Sequence, residues 1–473
     1  MSLLSKEINF FLKNNFSIYS KNKQLLDKNL FRRKYINAKN YFLNNLEEND
    51  VIAIFLDKDY EYLIVILACM EIGVSYIPMD SRWPKERVEQ IKKISKYKFQ
   101  VNQDNILKIL NYVLDSKENS FQINSEKILY IMFTSGTTGV PKGVKIKRES
   151  YFNFIVWIDE YFKHVTSKDK LLSVASYSFD LSLVDIAFLI KKKVHFFISK
   201  FETTVLPLAF EIEKYEITML ATVPNNFSML LNEKILKRFN LKSLNTISVV
   251  GSKFYLKLYL NLLENIKNIK IYNCYGPTEA TIYALVSEVT KRKIIGDNVS
   301  IGTPIFNTEA ILIDERGKEV KNGELLLSGI SIMDSYIDDM NKTKEVTFFL
   351  NNKTFYKTGD LAFIDNNNYY IYGRKDDVVK TSGFRVSLSD IDTSILNLGY
   401  VENCMTLALN DNNKENILIS FIILKKEIRI DKIYEELSSI LPSYQIPAII
   451  RIIDAFPLNS ASKICKKTLY TLI

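Results

Sequence analysis

The sequence predicts an α/β fold, with a large N-terminal lobe of α/β subdomains plus a β-rich subdomain and a small hinged α+β C-terminal lobe. Three observations support this prediction. Strand-like apolar runs alternate with helical patterns as far as residue 284. Residues 300–372 carry short strand patterns separated by turn signals such as DERGK and KNGE. The composition changes after Gly373-Arg374, so we expect one domain at 1–374 and a second at 375–473.

The elements can be predicted in order along the chain. The opening 45 residues have the spacing of amphipathic helix. VIAIFL (51–56), a helical stretch to Glu71 and SYIPMD (75–80) predict a strand–helix–strand unit, and ILYIMF (128–133) predicts a further buried strand. After residue 374 the pattern predicts short strands and two helices. No low-complexity segment separates the lobes, so we expect a hinge near Lys375 and not a flexible tether.

The composition excludes several classes of protein. The chain is 47% hydrophobic and 25% charged, which is typical of a globular protein and not of a disordered one. Its net charge of +9 is scattered, so we expect no nucleic-acid partner. No apolar run approaches the roughly 18 residues of a membrane span and no signal peptide is evident, so we expect a cytoplasmic location without membrane insertion. The four cysteines form no CxxC pair and only two histidines occur, which disfavours zinc sites, disulfides and a histidine triad.

A twelve-residue string, FTSGTTGVPKGV (133–144), follows the predicted buried strand and contains three of the 15 glycines. Glycines let the backbone approach an anion, hydroxyls and amides donate to phosphate oxygens, and Lys142 supplies positive charge. The string is not a Walker A loop, because Pro141-Lys142-Gly143 stands where Gly-Lys-Ser/Thr is required. A polar surface turn is the alternative, but the whole string favours phosphate binding.

The string resembles the signature loop of the adenylate-forming superfamily, which includes acyl-CoA synthetases, luciferases and the adenylation domains of nonribosomal peptide synthetases. The resemblance recurs in the family's order over nearly the whole chain and is closest to D-alanine–carrier protein ligase and related stand-alone amino-acid adenylating enzymes. The motifs that carry it are MEIGVSYIPMD with WPKERV (70–88), YSFDLSLVDI (177–186), YNCYGPTEATIYA (272–284), IGTPIFNT (301–308), GELLLSG (323–329), YKTGDLA (356–362), GRKDDVVKTSGFRV (373–386) and PLNSASK (457–463).

The resemblance implies an AMP-forming ligase that uses ATP and Mg²⁺ to activate a carboxylic acid. Such chemistry needs no general base, because the nucleophilic carboxylate is already ionised at pH 7. Stabilising charge at the reacting phosphate is the harder task. Lys463 is implied as the catalytic residue and Glu279 as the magnesium ligand. The family's usual Asn-Gly before this lysine is replaced here by Ala461-Ser462.

The resemblance also assigns a nucleotide site. Tyr275 is expected to stack on adenine, while Asp360 and Arg374 are expected to bond the ribose hydroxyls. The residues implied in ATP binding are Thr134, Ser135, Gly136, Thr137, Thr138, Gly139, Lys142, Asn273, Cys274, Tyr275, Gly276, Pro277, Thr278, Asp360, Tyr372, Gly373, Arg374 and Lys463.

Asp180 bears on the substrate class. By resemblance it pairs with the α-ammonium of an amino acid, since an unpartnered buried carboxylate would be costly. The alternative is a helix N-cap. The side-chain pocket implied by the motifs is mostly apolar and favours a small neutral amino acid, L or D, and it comprises Asp180, Leu181, Val184, Thr222, Ser248, Val250, Cys274, Ile282 and Tyr283.

The segment 376–385 resembles the family hinge, with Asp376 at the pivot, and implies a lobe that presents two faces in turn. The second face would transfer the aminoacyl group to the phosphopantetheine thiol of a separate carrier protein. Two alternatives remain open. One is an acyl- or aryl-CoA ligase, in which Asp180 is only a cap. The other is a nucleotide-binding scaffold that has lost catalysis.

Overall fold

The computed structural model describes residues 2–113, 120–135, 141–200, 205–381, 384–410, 416–441, 445–459 and 463–473. Its mixed helix and strand content confirms the predicted α/β class. The division into domains at residue 374 stays a prediction. No helix of these ranges combines the length and the apolar character that a membrane span requires.

The first third of the chain alternates helices and strands. Its elements are α1 (Leu3–Lys13), β1 (Ser17–Tyr19), α2 (Lys28–Asn45), β2 (Val51–Leu56), α3 (Tyr60–Ile72), β3 (Ser75–Asp80), α4 (Lys85–Ser95), β4 (Phe99–Val101), α5 (Ile106–Leu110), β5 (Ile128–Ser135), β6 (Pro141–Lys147) and α6 (Arg148–Tyr161).

The second third continues the alternation and then becomes mainly strand. Its elements are β7 (Lys170–Ser173), α7 (Leu181–Lys192), β8 (His195–Ile198), α8 (Val205–Tyr215), β9 (Met219–Thr222), α9 (Pro224–Leu230), α10 (Glu233–Leu236), β10 (Thr246–Val250), α11 (Leu256–Asn265), β11 (Lys270–Tyr275), β12 (Leu285–Glu288), β13 (Ile294–Ile295), β14 (Asn298–Val299) and β15 (Thr303–Pro304).

The remaining elements form the β-rich part and the C-terminal part. They are β16 (Thr308–Ile313), β17 (Asn322–Gly329), β18 (Ser335–Tyr336), α12 (Met340–Glu345), β19 (Thr347–Leu350), β20 (Lys353–Asp365), β21 (Asn368–Arg374), β22 (Val378–Thr381), β23 (Phe384–Ser387), α13 (Leu388–Leu396), β24 (Val401–Asn410), β25 (Asn416–Leu424), α14 (Ile430–Ile440), β26 (Ile449–Ile452) and α15 (Lys466–Tyr470).

Two large sheets enclose a helical layer. One has the strand order β18-β6-β5-β3-β2-β4 and the other β1-β8-β7-β9-β10-β11-β12-β15. Helices α1, α3, α6 and α7 pack against one another and contribute to one continuous core. Helix α3 is buried along nearly its whole length because neighbours surround it, and it ends at Gly73, whose φ of +81° suits glycine.

The β-rich part is an antiparallel sheet of order β16-β17-β20-β19, with β21 added beside β20. A 3₁₀ turn, Lys375–Asp377, follows β21. Beyond it, the three-stranded sheet β24-β25-β26 and helices α13 and α14 enclose a core of their own. The sequence predicted two helices in this part, and the described residues include a third, α15, whose five residues are too few to give a periodic pattern.

Candidate active site

A cleft of about 1010 Å³ lies between the eight-stranded sheet and the C-terminal part. Strands β9, β10 and β11 are parallel, so their carboxyl ends meet at one edge of the sheet. Ligands of such sheets bind outside that edge, where the loops diverge. The residues that line the cleft around this edge include Gly251, Asn273, Cys274, Tyr275, Gly276, Pro277, Asp360, Gly373, Arg374 and Lys463.

The turn after β11 is tightly built. A Cβ on Gly276 would lie 2.2 Å from the carbonyl oxygen of Ile282, so no other residue fits there without a shift of the backbone. Thr281 and Ile282 have φ values of +51° and +74°, which are unusual for β-branched residues. Such strain is typical of functional sites. The turn contains the 3₁₀ helix Thr278–Ala280, which carries Glu279 and directly follows the cleft-lining residues Gly276 and Pro277.

The carboxyl group of Glu279 lies among groups of both charges. The Tyr336 hydroxyl donates a hydrogen bond to its Oε1 at 2.6 Å. Burial raises the pKa of Glu279, the Tyr336 bond and the charge of Lys142 oppose that rise, and the charge of Asp180 adds to it. The described ranges contain no cluster of three or more His, Cys, Asp or Glu residues arranged for a metal, so the predicted magnesium site depends on this one carboxylate.

Asp360 and Arg374 face each other in the β20–β21 pairing, although 14 positions separate them in the sequence. Arg374 Nη1 donates to Asp360 Oδ1 at 2.9 Å, and the Tyr275 hydroxyl donates to Oδ2 at 2.5 Å. The predicted ribose-binding residues are therefore brought together, with Tyr275 bonded to them. Tyr372 lies apart from the cleft lining, since its hydroxyl donates to Asn322 Oδ1 at 2.8 Å.

Asp180 immediately precedes α7 but its side chain forms no capping hydrogen bond, so the helix-cap alternative is not realised. Burial raises the pKa of this carboxyl group, while a hydrogen bond from Thr278 and the charge of Lys463 act against the rise. Asp180 is therefore a half-buried acid at the N-terminus of α7, electrostatically coupled to a lysine that comes from the far end of the chain.

Lys463 lies in a turn closed by an isolated bridge between Leu458 and Ile464. Its amide donates to Asn459 Oδ1 at 3.1 Å, and its carbonyl accepts from the Asn459 amide at 2.8 Å. The side chain reaches Gly251, where a Cβ would lie 3.2 Å from Lys463 Cε. Gly251 was not among the residues predicted from the sequence, although a glycine directly after a strand in a glycine-poor chain is a recognisable signal.

The electrostatics of Lys463 reflect its place in the cleft. The residue keeps solvent-accessible surface because the cleft is open, but protein atoms surround the side chain and burial lowers its pKa. The carboxylates of Asp180, Asp360 and Glu279 act in the opposite direction. Lys463 thus interacts electrostatically with all three acids for which the sequence predicted roles in binding substrate, ribose and metal.

Most residues that were predicted to line the pocket for the substrate side chain are buried and lie close together. Val184, Val250, Cys274, Ile282 and Tyr283 belong to one hydrophobic cluster, and the half-buried Leu181 packs against it. Thr222 and Ser248 are buried in the adjoining strands β9 and β10. Burial raises the pKa of Cys274 to about 12, so this side chain is a neutral thiol.

The loop predicted to bind phosphate is described only at its two ends. Thr134 pairs with Lys142 in the β5–β6 ladder, so the loop joins two antiparallel strands. Lys142 Nζ lies 6.0 Å from the centre of the Tyr336 ring. The predictions for Gly136, Thr137, Thr138 and Gly139 lie outside the described residues, as do the side chains of Ser135 and Asp376.

Tyr336 was also not among the residues predicted from the sequence. It belongs to the two-residue strand β18, which pairs with β6, and this pairing brings it to Glu279. A strand of two residues has no periodicity that could have revealed it.

The chain is similar to several known proteins. A model of the family described as AMP-binding enzyme matches residues 40–337. Surfactin synthase subunit 2 of Bacillus subtilis is 30% identical over 88% of the chain, which spans only 12% of that protein. The D-alanine–D-alanyl carrier protein ligase of Listeria monocytogenes is 28% identical, with 86% of each chain covered.

Two solved structures show the same fold. A four-domain nonribosomal peptide synthetase, AB3403, bound to AMP and glycine has a TM-score of 0.83 at 21% identity, covering 99% of this chain and 36% of its own. NpsA of Klebsiella oxytoca, in complex with 3-hydroxyanthranilyl-AMSN, has a TM-score of 0.86 at 18% identity and covers 100% and 99%. The resemblance read from the motifs is therefore confirmed.

Proposed function

The chain belongs to the AMP-binding enzyme family, and on that premise we propose that it activates a small neutral amino acid with ATP as aminoacyl-AMP, releasing pyrophosphate. The aminoacyl group is then transferred to the phosphopantetheine thiol of a separate carrier protein, and AMP is released as the acyl–phosphate bond breaks. The observation that carries this proposal is the place of Lys463, inside the cleft and coupled to Asp180, Asp360 and Glu279.

The first step joins a carboxylate oxygen to the α-phosphorus of ATP and breaks the bond from that phosphorus to the bridging oxygen of pyrophosphate. Negative charge accumulates on the α-phosphate oxygens as this happens. Lys463 is the positive group best placed to stabilise that charge, with Arg374 held at the ribose side by Asp360. No residue has to remove a proton, which fits a chain with two histidines.

Mg²⁺ fits the same edge of the cleft. Proteins commonly hold this ion with one or two carboxylates and let the substrate phosphates supply further oxygens. Glu279 would be that carboxylate, and the Tyr336 hydroxyl bond to Oε1 fixes its orientation. When bound, the ion would neutralise part of the polyphosphate charge.

An amino-acid substrate is supported by Asp180. The described residues supply Asp180 with the Thr278 hydroxyl, the Leu181 amide and the charge of Lys463, but with no close salt bridge. An α-ammonium group would complete its pairing and offset the cost of burying it. The glycine bound to AB3403 is consistent with this assignment on a similar fold. Val250, Ile282 and Tyr283 are buried and uncharged, which supports a small neutral side chain over a charged one.

Transfer to a carrier protein requires the C-terminal lobe to move, because in the present arrangement Lys463 occupies the cleft. Asp376 lies in the 3₁₀ turn between the two parts and is the proposed pivot. The likeness to a D-alanine–D-alanyl carrier protein ligase over 86% of both chains supports a carrier protein as the acceptor.

The proposal is tested by amino-acid-dependent exchange of pyrophosphate into ATP. The panel comprises the twenty amino acids, D-alanine, and acids without an amino group such as propionate, benzoate and anthranilate. We expect the highest exchange with glycine, alanine or another small neutral amino acid. Preference for an acid without an α-amino group would instead indicate an acyl- or aryl-CoA ligase. If the protein binds ATP but shows no exchange with any acid, it would instead be a nucleotide-binding scaffold that has lost catalysis.

A further inference from the structure

The two residues that flank Asp376 are each fixed to a different part of the molecule. Lys375 and Asp377 belong with it to the 3₁₀ turn that follows β21. The turn is short, so the ion-pair partners of Lys375 and Asp377 decide with which part of the molecule each of these two residues moves.

Lys375 is attached to the large lobe. Its Nζ lies 2.6 Å from Glu324 Oε2. Glu324 is only 6% exposed, lies on β17, and its other carboxylate oxygen accepts from the Gly359 amide at 3.3 Å. The charge on the N-terminal side of the turn is thus anchored in the five-stranded sheet.

Asp377 is attached to the C-terminal end of the chain. Its Oδ1 lies 2.9 Å from Lys466 Nζ. Lys466 is the first residue of α15, three positions after Lys463, and α15 is fixed to the C-terminal lobe by Leu469, which is fully buried beside Leu407 and Phe456. The pair therefore joins the turn at residue 376 to the segment that carries Lys463.

We propose that Asp377 and Lys466 are a positioning pair, which keeps Lys463 at a set place relative to the pivot so that it enters the cleft when the lobe is in the adenylating arrangement. The inference rests on the proposed function. Both partners follow residue 376, whereas both members of the Lys375–Glu324 pair precede it. A rotation at residue 376 therefore breaks neither pair.

The physical reason is the length of the path between pivot and lysine. Nearly 90 residues separate Asp376 from Lys463 along the chain, and small displacements of the lysine turn would move its charge away from the reacting phosphate. A misplacement of about 1 Å can cost about 10²-fold in rate. The Asp377–Lys466 ion pair connects the residue after the pivot directly to the segment that carries Lys463.

The test compares Lys466→Met with Lys467→Met, since Lys467 is the exposed neighbouring lysine and has no ion pair among the described residues. Lys466→Met is expected to lower the kcat of pyrophosphate exchange about fivefold, which corresponds to about 1 kcal/mol at 1.36 kcal/mol per tenfold, the upper value for an exposed pair. The KM for ATP and the rate of transfer from preformed aminoacyl-adenylate should stay within twofold. Lys467→Met should behave as the wild type.

Rescue distinguishes positioning from a general loss of charge. Lys466→Arg and the exchanged pair Asp377→Lys/Lys466→Asp should each restore most of the exchange rate. If Lys466→Met equals Lys467→Met, if it slows both half-reactions in proportion, or if neither rescue variant recovers, the positioning role is wrong.

A second readout does not depend on activity. The amides of Asn459 and Cys465 donate to the carbonyls of Lys463 and Pro457 and close the lysine turn. Their hydrogen exchange should be about fivefold faster in Lys466→Met than in Lys467→Met, and equal rates would overturn the inference. A wild type that shows no amino-acid-dependent exchange would refute the proposed function, and this second readout would still decide the role of the pair.

Discussion

At the scale of single residues, the site is built from side chains whose chemical type was visible in the sequence and whose partners were not. Asp180 is typical: its position before an apolar helix suited an N-cap as well as an ammonium-binding acid. The structure leaves the cap unmade and couples the carboxylate to Lys463 instead.

Asp180→Ala should therefore lower kcat/KM for the amino acid by about 10²–10³, because it removes the carboxylate that is proposed to pair with the α-ammonium group. The dissociation constant for ATP should change less than threefold. Pyrophosphate exchange and equilibrium binding of a fluorescent ATP analogue measure the two effects. Normal exchange in Asp180→Ala would remove the main support for an amino-acid substrate.

Lys463→Ala should slow adenylate formation by about 10²–10³, the usual cost of losing one well-placed donor at a developing negative charge. Given preformed aminoacyl-adenylate, the same variant should transfer to a thiol acceptor at nearly the wild-type rate. Single-turnover assays of each half-reaction measure this, with Lys467→Ala as the matched control. Equal slowing of both half-reactions would favour a site that does not rearrange.

Glu279→Gln should raise the Mg²⁺ concentration for half-maximal exchange about tenfold, because an amide is a poorer ligand than a carboxylate. The amide oxygen can still accept the bond from Tyr336, so the turn itself should be preserved. A titration of Mg²⁺ at saturating ATP measures the shift. An unchanged midpoint would contradict the assignment of Glu279 to the metal.

At the scale of elements, the local sequence pattern predicted helices and strands correctly where a segment is long and periodic. The strand–helix–strand unit was predicted at 51–80, and β2, α3 and β3 lie there because their apolar residues are continuous and Gly73 ends the helix. β18 and α15 were not predicted, because elements of two and five residues are too short to show a periodic pattern. Both elements matter to the site, since they supply Tyr336 and Lys466.

Buried acids between elements were equally invisible in the sequence. Asp392, on α13, accepts from the Thr406 amide of β24 at 2.6 Å, and burial raises its pKa to about 6. The charged form of this group is therefore disfavoured by folding. The contribution of the protonated Asp392 carboxyl group to the free energy of unfolding is complete below the unfolded pKa of about 4. It is lost as the pH rises through the folded pKa of about 6.

Asp392→Asn should consequently be more stable than the wild type at pH 7.5, by at most about 3 kcal/mol in the free energy of unfolding, and this advantage should vanish near pH 4. The amide oxygen can still accept from Thr406, so the packing of α13 against β24 is preserved. Urea denaturation of both proteins at a series of pH values measures the difference. A gap that does not depend on pH would contradict the raised pKa.

At the scale of the whole molecule, the arrangement of the two parts decides whether a site exists at all. Lys257 of α11 donates to the carbonyls of Leu396 and Val401 across the cleft, at 2.8 and 2.5 Å. Unlike the Asp377–Lys466 pair, these bonds join the large lobe to the small one. They must break if the lobe turns about residue 376.

Lys257→Met should therefore lower the rate of adenylate formation about tenfold, since hydrogen bonds to a charged donor contribute about 1.5–3 kcal/mol before solvent screening is considered. Transfer from preformed adenylate should be unchanged or faster. The same two half-reaction assays apply, with the exposed Lys267→Met as control. A loss of transfer equal to the loss of adenylation would show that these bonds do not favour one arrangement.

The sequence by itself determined the fold class, the family and the chemical type of the candidate site residues, because these depend on local periodicity and on short motifs that lie within one stretch of chain. Only the tertiary structure decided which of those residues meet. Lys463 comes under the electrostatic influence of Asp180, Tyr336 contacts Glu279, and Lys466 contacts Asp377, each through packing between elements distant in sequence. Such contacts depend on where elements dock, and docking is set by the shape of the packed core and not by any local pattern.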